Sequence, residues 1–466
     1  MRKAFGIRSS IIGLLLLCLV CAGCGVSSLP SEGNAHSEPA GEKEQGATDE
    51  IIGRDSGSAL DDKAPGSGAQ IVEGSGELEP IDADAQGSAD TKDEQEASEK
   101  KSIFDVFTGS SDEKKEQAAP AGDGSKKVQK KITAMASDYA YYYDRLDEKG
   151  QTLYREIYAG LSSMGTAYLS FLDEELTDEV YEYVKADHPE LFYCRGYRIT
   201  WKESFSKITD VELWGDFSMS EEQVLEYADR IEKRTNEILA YVPATGDYEK
   251  IRYLHDYIVK HTDYTIDTEE NQNIISVLLT GKSVCSGYTK TLQYLLGKAG
   301  VEAAYVWGNA RGAQGGSELH SWNLVRADGE WYYVDATFDD PTVTGTGEDK
   351  STLQYTYFCV TSEELGRTHE AIHTEYLPNC TATADNYFVK EGRMLESYDP
   401  VRLQVIFDGA GAAGAESVTF RCKNAAVYRE VKQKLIDERE MFNYLGGRDK
   451  VGYQANDAMY IFVFWL

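Results

Sequence analysis

Three things are scarce in this 466-residue chain, and each scarcity excludes something. Basic residues are few, 47 Lys and Arg against 79 Asp and Glu, for a net charge of −32. A surface so acidic excludes nucleic acid as a partner, because phosphate recognition needs positive potential. Long apolar runs are also missing. The longest, Ile11 to Val20, is too short to span a bilayer comfortably. Aromatic residues are nearly absent from the first 130 positions. Between residues 24 and 130 only Phe104 and Phe107 occur, while all 31 Tyr follow that stretch. The same stretch carries 24 acidic and 11 basic residues. Such a segment buries too little apolar surface to offset the entropy of ordering it, so residues 24–130 read as a disordered tether rich in Gly, Ser and acidic residues.

What precedes the tether has a different pattern. Arg2, Lys3 and Arg8 form a basic start, the Ile11–Val20 run follows, and then Cys21-Ala22-Gly23-Cys24. This resembles a bacterial lipoprotein signal over residues 1–23, with a Cys at position 21 where the pattern usually has Leu. The resemblance implies cleavage before Cys24, lipid on Cys24, and a protein held on the outer side of a membrane by that lipid. An ordinary signal peptide cut nearby is the plain alternative.

Chemistry concentrates between Ser283 and Pro341. Cys285, His320 and Asp335 occur in that order within about 50 residues. Tyr288, Leu292, Leu295, Leu296 and Ala299 repeat at helical spacing, and Gly300 stands where a helix would end. The spacing therefore predicts a helix with Cys285 in its first turn, where the helix dipole favours a thiolate. Gly287 would let a substrate backbone approach. Asp328-Gly329 predicts a two-residue hairpin turn between strands Leu319–Arg326 and Glu330–Phe338. Pairing Ala327 with Glu330 sets His320 opposite Thr337 and Trp322 opposite Asp335. His320 and Asp335 then lie diagonally on one face, unless a bulge shifts the register. A thiol, a base and a carboxylate to orient the base are the parts of nucleophilic acyl transfer.

The pieces Gly281-Lys282-Ser283-Val284-Cys285-Ser286-Gly287-Tyr288, Gly308, His320-Ser321-Trp322-Asn323 and Trp331 to Pro341 resemble the core of the transglutaminase-like superfamily. The resemblance covers roughly residues 245–385. It implies a papain-like α+β fold, in which a helix carrying Cys packs on an antiparallel sheet carrying His and Asp. It also implies Cys285 as nucleophile, His320 as base, Asp335 as orienting residue, and a protein or peptide substrate. Phe338 stands where the family usually has Trp. The Cys285 backbone N–H would supply one oxyanion donor. The chemistry implies no metal or organic cofactor. Some cross-linking members use calcium, but no D-x-[DN]-x-[DN]-G loop is present.

Two other readings compete. The superfamily includes inactive relatives, so the domain could be a surface binding module with an unused triad. His369-Glu370-Ala371-Ile372-His373 fits the zinc-peptidase pattern H-E-x-x-H, which needs a helix to put both His on one face. Gly366 and Pro378 flank it closely and argue against such a helix. Outside the core, residues 131–245 read as a mainly helical accessory region. Helices are expected at Asp144–Leu161 and Ser220–Tyr241, and short strands at Leu191–Cys194 and Tyr197–Trp201. Residues 246–385 would form the catalytic domain, opening with a helix at Tyr248–His261. Residues 386–466 would form a small α+β unit from strand Ser417–Cys422, helix Ala425–Arg439 and strand Ala458–Trp465. Cys359 and Cys380 are the closest pair in sequence that an oxidising compartment would allow to bond, though spacing alone does not establish it.

Overall fold

Alternating apolar residues and Gly-containing turns give this chain its sheets, and each sheet carries helices on a face. The computed structural model describes the backbone of residues 5–8 and 50–55, and residues 123–204, 207–311, 317–340, 353–448 and 450–466. Cys24 lies outside the described residues, as does most of the stretch read as a tether. Residues 123–130 of that stretch are described, and two short strands precede them. β1 (Phe5–Arg8) and β2 (Glu50–Asp55) each pair along the edge of a sheet formed by later residues. Edge pairing uses backbone groups alone, so composition does not signal it.

The accessory region starts earlier than its composition suggests. Helix α1 (Asp123–Met135) begins inside the tether boundary because Val128, Ile132 and Met135 form a fully buried stripe. Helix α2 (Glu148–Ser162) is capped by Asp147 and α3 (Glu174–Asp187) by Asp173, each accepting from a first-turn N–H. Helix α4 (Glu221–Leu239) starts where the sequence placed it and opens with a Ser220/Gln223 capping box. Among these helices stands a sheet longer than the two short strands expected. Strands β3 (Thr166–Leu169), β4 (Cys194–Ser204) and β5 (Lys207–Phe217) form a sheet with β1 in the order β1-β4-β5-β3. Only one side of β5 is apolar: Val211 and Leu213 are buried, while Trp214 is partly exposed. That half-polar pattern hid β5 from sequence reading.

The next 140 residues build the site. Helix α5 (Asp247–His261) leads through two short strands, β6 (Asp263–Tyr264) and β7 (Lys282–Ser283), to α6 (Cys285–Lys298). Gly300 follows α6 at φ +75°, a left-handed position that glycine takes without strain. Strands β8 (Ala303–Arg311), β9 (Ser317–Ala327), β10 (Glu330–Val334) and β11 (His369–Ala371) make an antiparallel sheet ordered β10-β9-β8-β11. The observed register pairs Glu330 with Ala327 and Val334 with Asn323, the register the Asp328-Gly329 turn predicts. The second strand stops at Val334 rather than Phe338. Asp335 turns its side chain onto the N–H groups of Thr337 and Phe338, which diverts the backbone from the ladder. Tyr288, Leu292, Leu295 and Leu296 of α6 are fully buried, and α6 packs on β8, β9 and α5.

The last stretch forms a five-stranded sheet. β12 (Met394–Leu395), β13 (Ser417–Cys422), β15 (Ile461–Trp465), β14 (Lys450–Asn456) and β2 lie in that order. Helices Pro400–Ala412 and Ala425–Lys432 cover it. The second helix is shorter than expected, because a π-helical segment takes over at Gln433. No helix among the described residues is long and apolar enough to cross a membrane.

Candidate active site

The site begins where α6 begins. Val284 is extended and caps the helix without a side-chain hydrogen bond, so Cys285 is the first helical residue. Its N–H is one of the four that an α-helix leaves without an intrahelical acceptor. Cys285 is partly exposed, whereas the other four described cysteines are buried. A stitched contact holds this end of α6 to β9. Thr289 Oγ1 lies 2.9 Å from the Cys285 carbonyl, 2.9 Å from the Ser321 carbonyl and 3.0 Å from Ser321 Oγ. Asn323 Nδ2 donates to the Thr289 carbonyl at 3.0 Å. The His320-Ser321-Trp322-Asn323 run therefore seats the helix as well as supplying the imidazole.

Cys285, His320 and Asp335 are brought together. His320 Nε2 is 2.7 Å from Asp335 Oδ2, and the thiol of Cys285 is hydrogen-bonded to His320. With Nε2 taken by the carboxylate, Nδ1 is the nitrogen left for sulfur. Burial opposes charge on Cys285, but the hydrogen bond from His320, the positive charge of that ring and a hydrogen bond from Ser321 outweigh it. Its pKa falls below the ordinary thiol value. Burial likewise works against a charged His320, yet Asp335 and Cys285 raise it to about 10. The imidazolium holds the buried Asp335 well below the usual carboxylate range, against the effect of desolvation. All three shifts favour a thiolate–imidazolium–carboxylate row. Phe338 packs over the His320 ring at 4.4 Å between centroids, the aromatic role its place in the sequence implied.

The carboxylates after Asp335 have separate partners. Asp339 Oδ2 faces His255 Nε2 at 3.2 Å, and its Oδ1 accepts from the Tyr357 N–H at 2.9 Å. Asp340 Oδ2 accepts from Tyr288 Oη of α6 at 3.0 Å. This Asp339-Asp340 pair ties the turn after β10 to α5 and α6. Neither His255 nor the network was foreseen. His255 reads in the sequence as one more helical position, and only tertiary packing joins it to residue 339.

One expectation needs correction, and two alternatives left open do not hold. Gly287 does not face a substrate: a Cβ there would sit 2.0 Å from Ser283 Oγ and 2.4 Å from Ser276 Oγ. Its glycine is required by the packing of the preceding turn. The H-E-x-x-H segment is not a helix. His369 lies on β11, His373 has φ +58°, and His373 Nδ1 meets Tyr183 Oη at 3.1 Å instead of a common ligand. Gly308 on β8 pairs with Ala371, which commits the segment to the sheet. Cys359 and Cys380 are free thiols, as are Cys194 and Cys422, and the Cys380 sulfur contacts the Pro378 carbonyl.

The site also contains one residue that sequence reasoning placed elsewhere. His369 Nε2 is 3.1 Å from Asp335 Oδ2, so two histidines share one carboxylate oxygen. His320, Asp335 and His369 offer ligand atoms within 4.8 Å of one another, as do Glu179, His373 and Glu375 on the surface. In the first group both ring nitrogens already address the carboxylate. No spacing in the sequence joins residue 369 to residue 335. The link depends on β11 docking beside β8.

With this geometry described, comparison with known proteins becomes informative. Residues 236–336 match the family model of the transglutaminase-like superfamily. The kyphoscoliosis peptidase of Mus musculus is 26% identical over 144 residues, which cover 28% of this chain and 21% of that protein. Its Homo sapiens counterpart is 27% identical over the same length and shares of the two chains. The chain thus spans about a fifth of the length of the peptidases it matches. Among solved structures, one described as a TGase aligns at 16% identity with a TM-score of 0.22, covering 37% of this chain and 50% of that one. The α+β region that sets a Cys-bearing helix against an antiparallel sheet with His is a transglutaminase-like domain.

Proposed function

We propose that this domain is a thiol enzyme that acts on peptide-like amides through an acyl-enzyme on Cys285. The observation that carries the reading is His320, hydrogen-bonded to the Cys285 thiol and 2.7 Å from Asp335. In the resting state the proton sits on His320 and the charge on sulfur. The Cys285 thiolate attacks the carbonyl carbon, and the carbonyl oxygen becomes an oxyanion that the Cys285 N–H receives. His320 Nδ1 then gives its proton to the leaving nitrogen, the C–N bond breaks, and an S-acyl bond to Cys285 remains. Asp335 keeps the ring oriented throughout. Water or a primary amine next loses a proton to His320 and attacks the thioester. Water makes the enzyme a peptidase or deamidase, and a Lys amine makes it a cross-linker.

The substrate class is protein or peptide, met outside the cytoplasm. Lipid on Cys24 would hold the chain to a membrane surface, and residues 24–130 would give the domain reach. The acidic balance of the chain supports an exposed protein that does not bind nucleic acid.

The test is to trap the intermediate. The full chain is incubated with glutamine-containing peptides, quenched in acid, and Cys285 is located by peptide mass. The expected result is an acyl adduct that water or added cadaverine clears, and that Cys285→Ala lacks. If no adduct forms while Cys285→Ala still binds the same peptides as wild type, the domain is a binding module and the enzyme reading fails.

A further inference from the structure

The carboxylate of Asp335 is served from both sides. Oδ1 accepts from the N–H groups of Thr337 at 2.9 Å and Phe338 at 3.1 Å. Oδ2 meets His320 Nε2 at 2.7 Å and His369 Nε2 at 3.1 Å. A carboxylate offers about four lone-pair positions, and four donors fill them here. The donor from His369 comes from β11, the edge strand of the sheet. β11 reaches the sheet only because β8 has a glycine: a Cβ on Gly308 would come within 2.1 Å of the Glu370 carbonyl oxygen and 2.8 Å of the Ala371 Cα. Pairing then sets His369 opposite Ala310, two cross-strand rows from the His320–Gly308 pair and so on the same face of the sheet.

The proton of His369 is shared out between Asp335 on one nitrogen and Thr368 with the Leu365 carbonyl near the other. Its Nδ1 lies 2.8 Å from Thr368 Oγ1. If that nitrogen accepts from the hydroxyl, Nε2 carries the hydrogen and points it at Asp335. The opposite tautomer would aim a lone pair at a carboxylate oxygen. Trp322, Phe338, Tyr357 and His320 enclose the ring, at 4.9, 5.2, 5.1 and 5.6 Å between centroids. In such a box a phenyl ring would bury at less cost than an imidazole, unless the hydrogen bonds offset the burial.

We propose that His369 is a positioning residue: its Nε2–H holds Asp335 in the rotamer that receives His320, and so keeps the His320 ring aligned on Cys285. The proposal rests on the thiolate–imidazolium reading given above. Burial, which favours the neutral form, acts together with the neighbouring His320 charge to keep the pKa of His369 below that of an ordinary histidine, even though Asp335 pulls the other way. A neutral donor steadies the carboxylate without competing with His320 as a second cation.

The test follows the iodoacetamide rate of Cys285 against pH in the full chain. His369→Phe keeps the ring and removes the donor. It is expected to move the acid limb up by about one unit, which lowers the rate on that limb roughly tenfold. His369→Gln, which can still donate, is expected to restore most of that loss. A purely structural role would lower thermal stability in both variants and leave the limb in place, and that result overturns the proposal. Should the Phe variant fail to fold, wild-type protein labelled with 15N-histidine gives the answer. His369 should stay neutral with its proton on Nε2 from pH 6 to 9, and a proton on Nδ1 or a charged ring overturns the assignment. A wild-type Cys285 that titrates as an ordinary thiol removes the thiolate–imidazolium reading and this proposal with it. A low-pH plateau unchanged in His369→Phe removes this proposal alone.

Discussion

The sheet of the transglutaminase-like domain is antiparallel throughout, and that of the C-terminal unit adds the parallel pairs β12–β13 and β14–β2; both carry packed helices, yet they bury opposite kinds of residue. The C-terminal core is Leu403, Phe407, Val418, Phe420, Val431, Phe462, Phe464 and similar side chains. Among the described residues from 387 onward, Arg421 is the one buried polar side chain. The other domain buries His255, His320, Asp335, Asp339, Asp340 and His369 within a few turns of chain. Burying an ionisable group costs several kcal/mol unless it is paired, so stability alone does not account for six of them. The cysteines show the same division. Cys422 in the C-terminal sheet is pushed up to about 12 by burial, while Cys285 is pulled below its ordinary value by His320. One core is arranged for packing. The other accepts a cost in stability and gains a defined proton arrangement.

The largest test of this division is thiol reactivity. At pH 7 a thiol near pKa 12 has roughly one part in 100,000 as thiolate. Among the five described cysteines, alkylation of the native protein at pH 7 should therefore fall on Cys285. Cys285→Ala should abolish the fast phase and Cys422→Ala should leave it, as read by peptide mass. Next in size are two stability changes with different pH behaviour. His255→Leu leaves the buried Asp339 carboxylate without its cation, and should cost about 3–5 kcal/mol in urea unfolding at pH 8. Burial already raises Asp339 to about 6 in the folded protein, despite the hydrogen bond and charge of His255. A carboxylate with a raised folded pKa costs stability above its unfolded value, and the cost fades as pH falls and the group protonates. The His255→Leu penalty should therefore shrink between pH 8 and pH 5. Phe420→Ala in the C-terminal core should cost a similar 3–5 kcal/mol through the cavity it leaves, with no such pH dependence. A flat His255→Leu penalty would erase the distinction between the two cores. The smallest effect is expected at the exposed Arg326–Glu302 pair, 3.1 Å apart. Glu302→Gln should change stability by under about 1 kcal/mol, less still at high salt.

How much of this was legible in the sequence depended on whether the signal was local. The Asp328-Gly329 turn alone gave the β9–β10 register, because a two-residue loop leaves one way to pair the strands. The start of α6 at Cys285 followed from apolar spacing, and the α4 start from the Ser220–Gln223 run. Non-local features were hidden. β5 and β14 are half-polar, β1 and β2 are edge strands far in sequence from the strands they join, and His369 meets Asp335 through a three-residue strand 34 positions away. The H-E-x-x-H spacing needs a helix, which the flanking Gly366 and Pro378 argued against and the chain does not form. Gly308 instead admits β11 beside β8, and His369 faces Asp335 while His373 turns to Tyr183. Asp335 shows the reverse case. Its place on the face was foreseen, but the strand ended early because the side chain took its own backbone as partner.

The central claim is that Cys285 and His320 rest as a charged pair, and the pH dependence of Cys285 alkylation tests it most directly. The lowered thiol and the His320 pKa of about 10 set the expected window. The rate should reach a plateau well below pH 8. His320→Ala should lose the plateau and titrate near pH 8.5, the ordinary value for a thiol. A wild-type rate that already rises with a midpoint near pH 8.5, unchanged by His320→Ala, would contradict the claim.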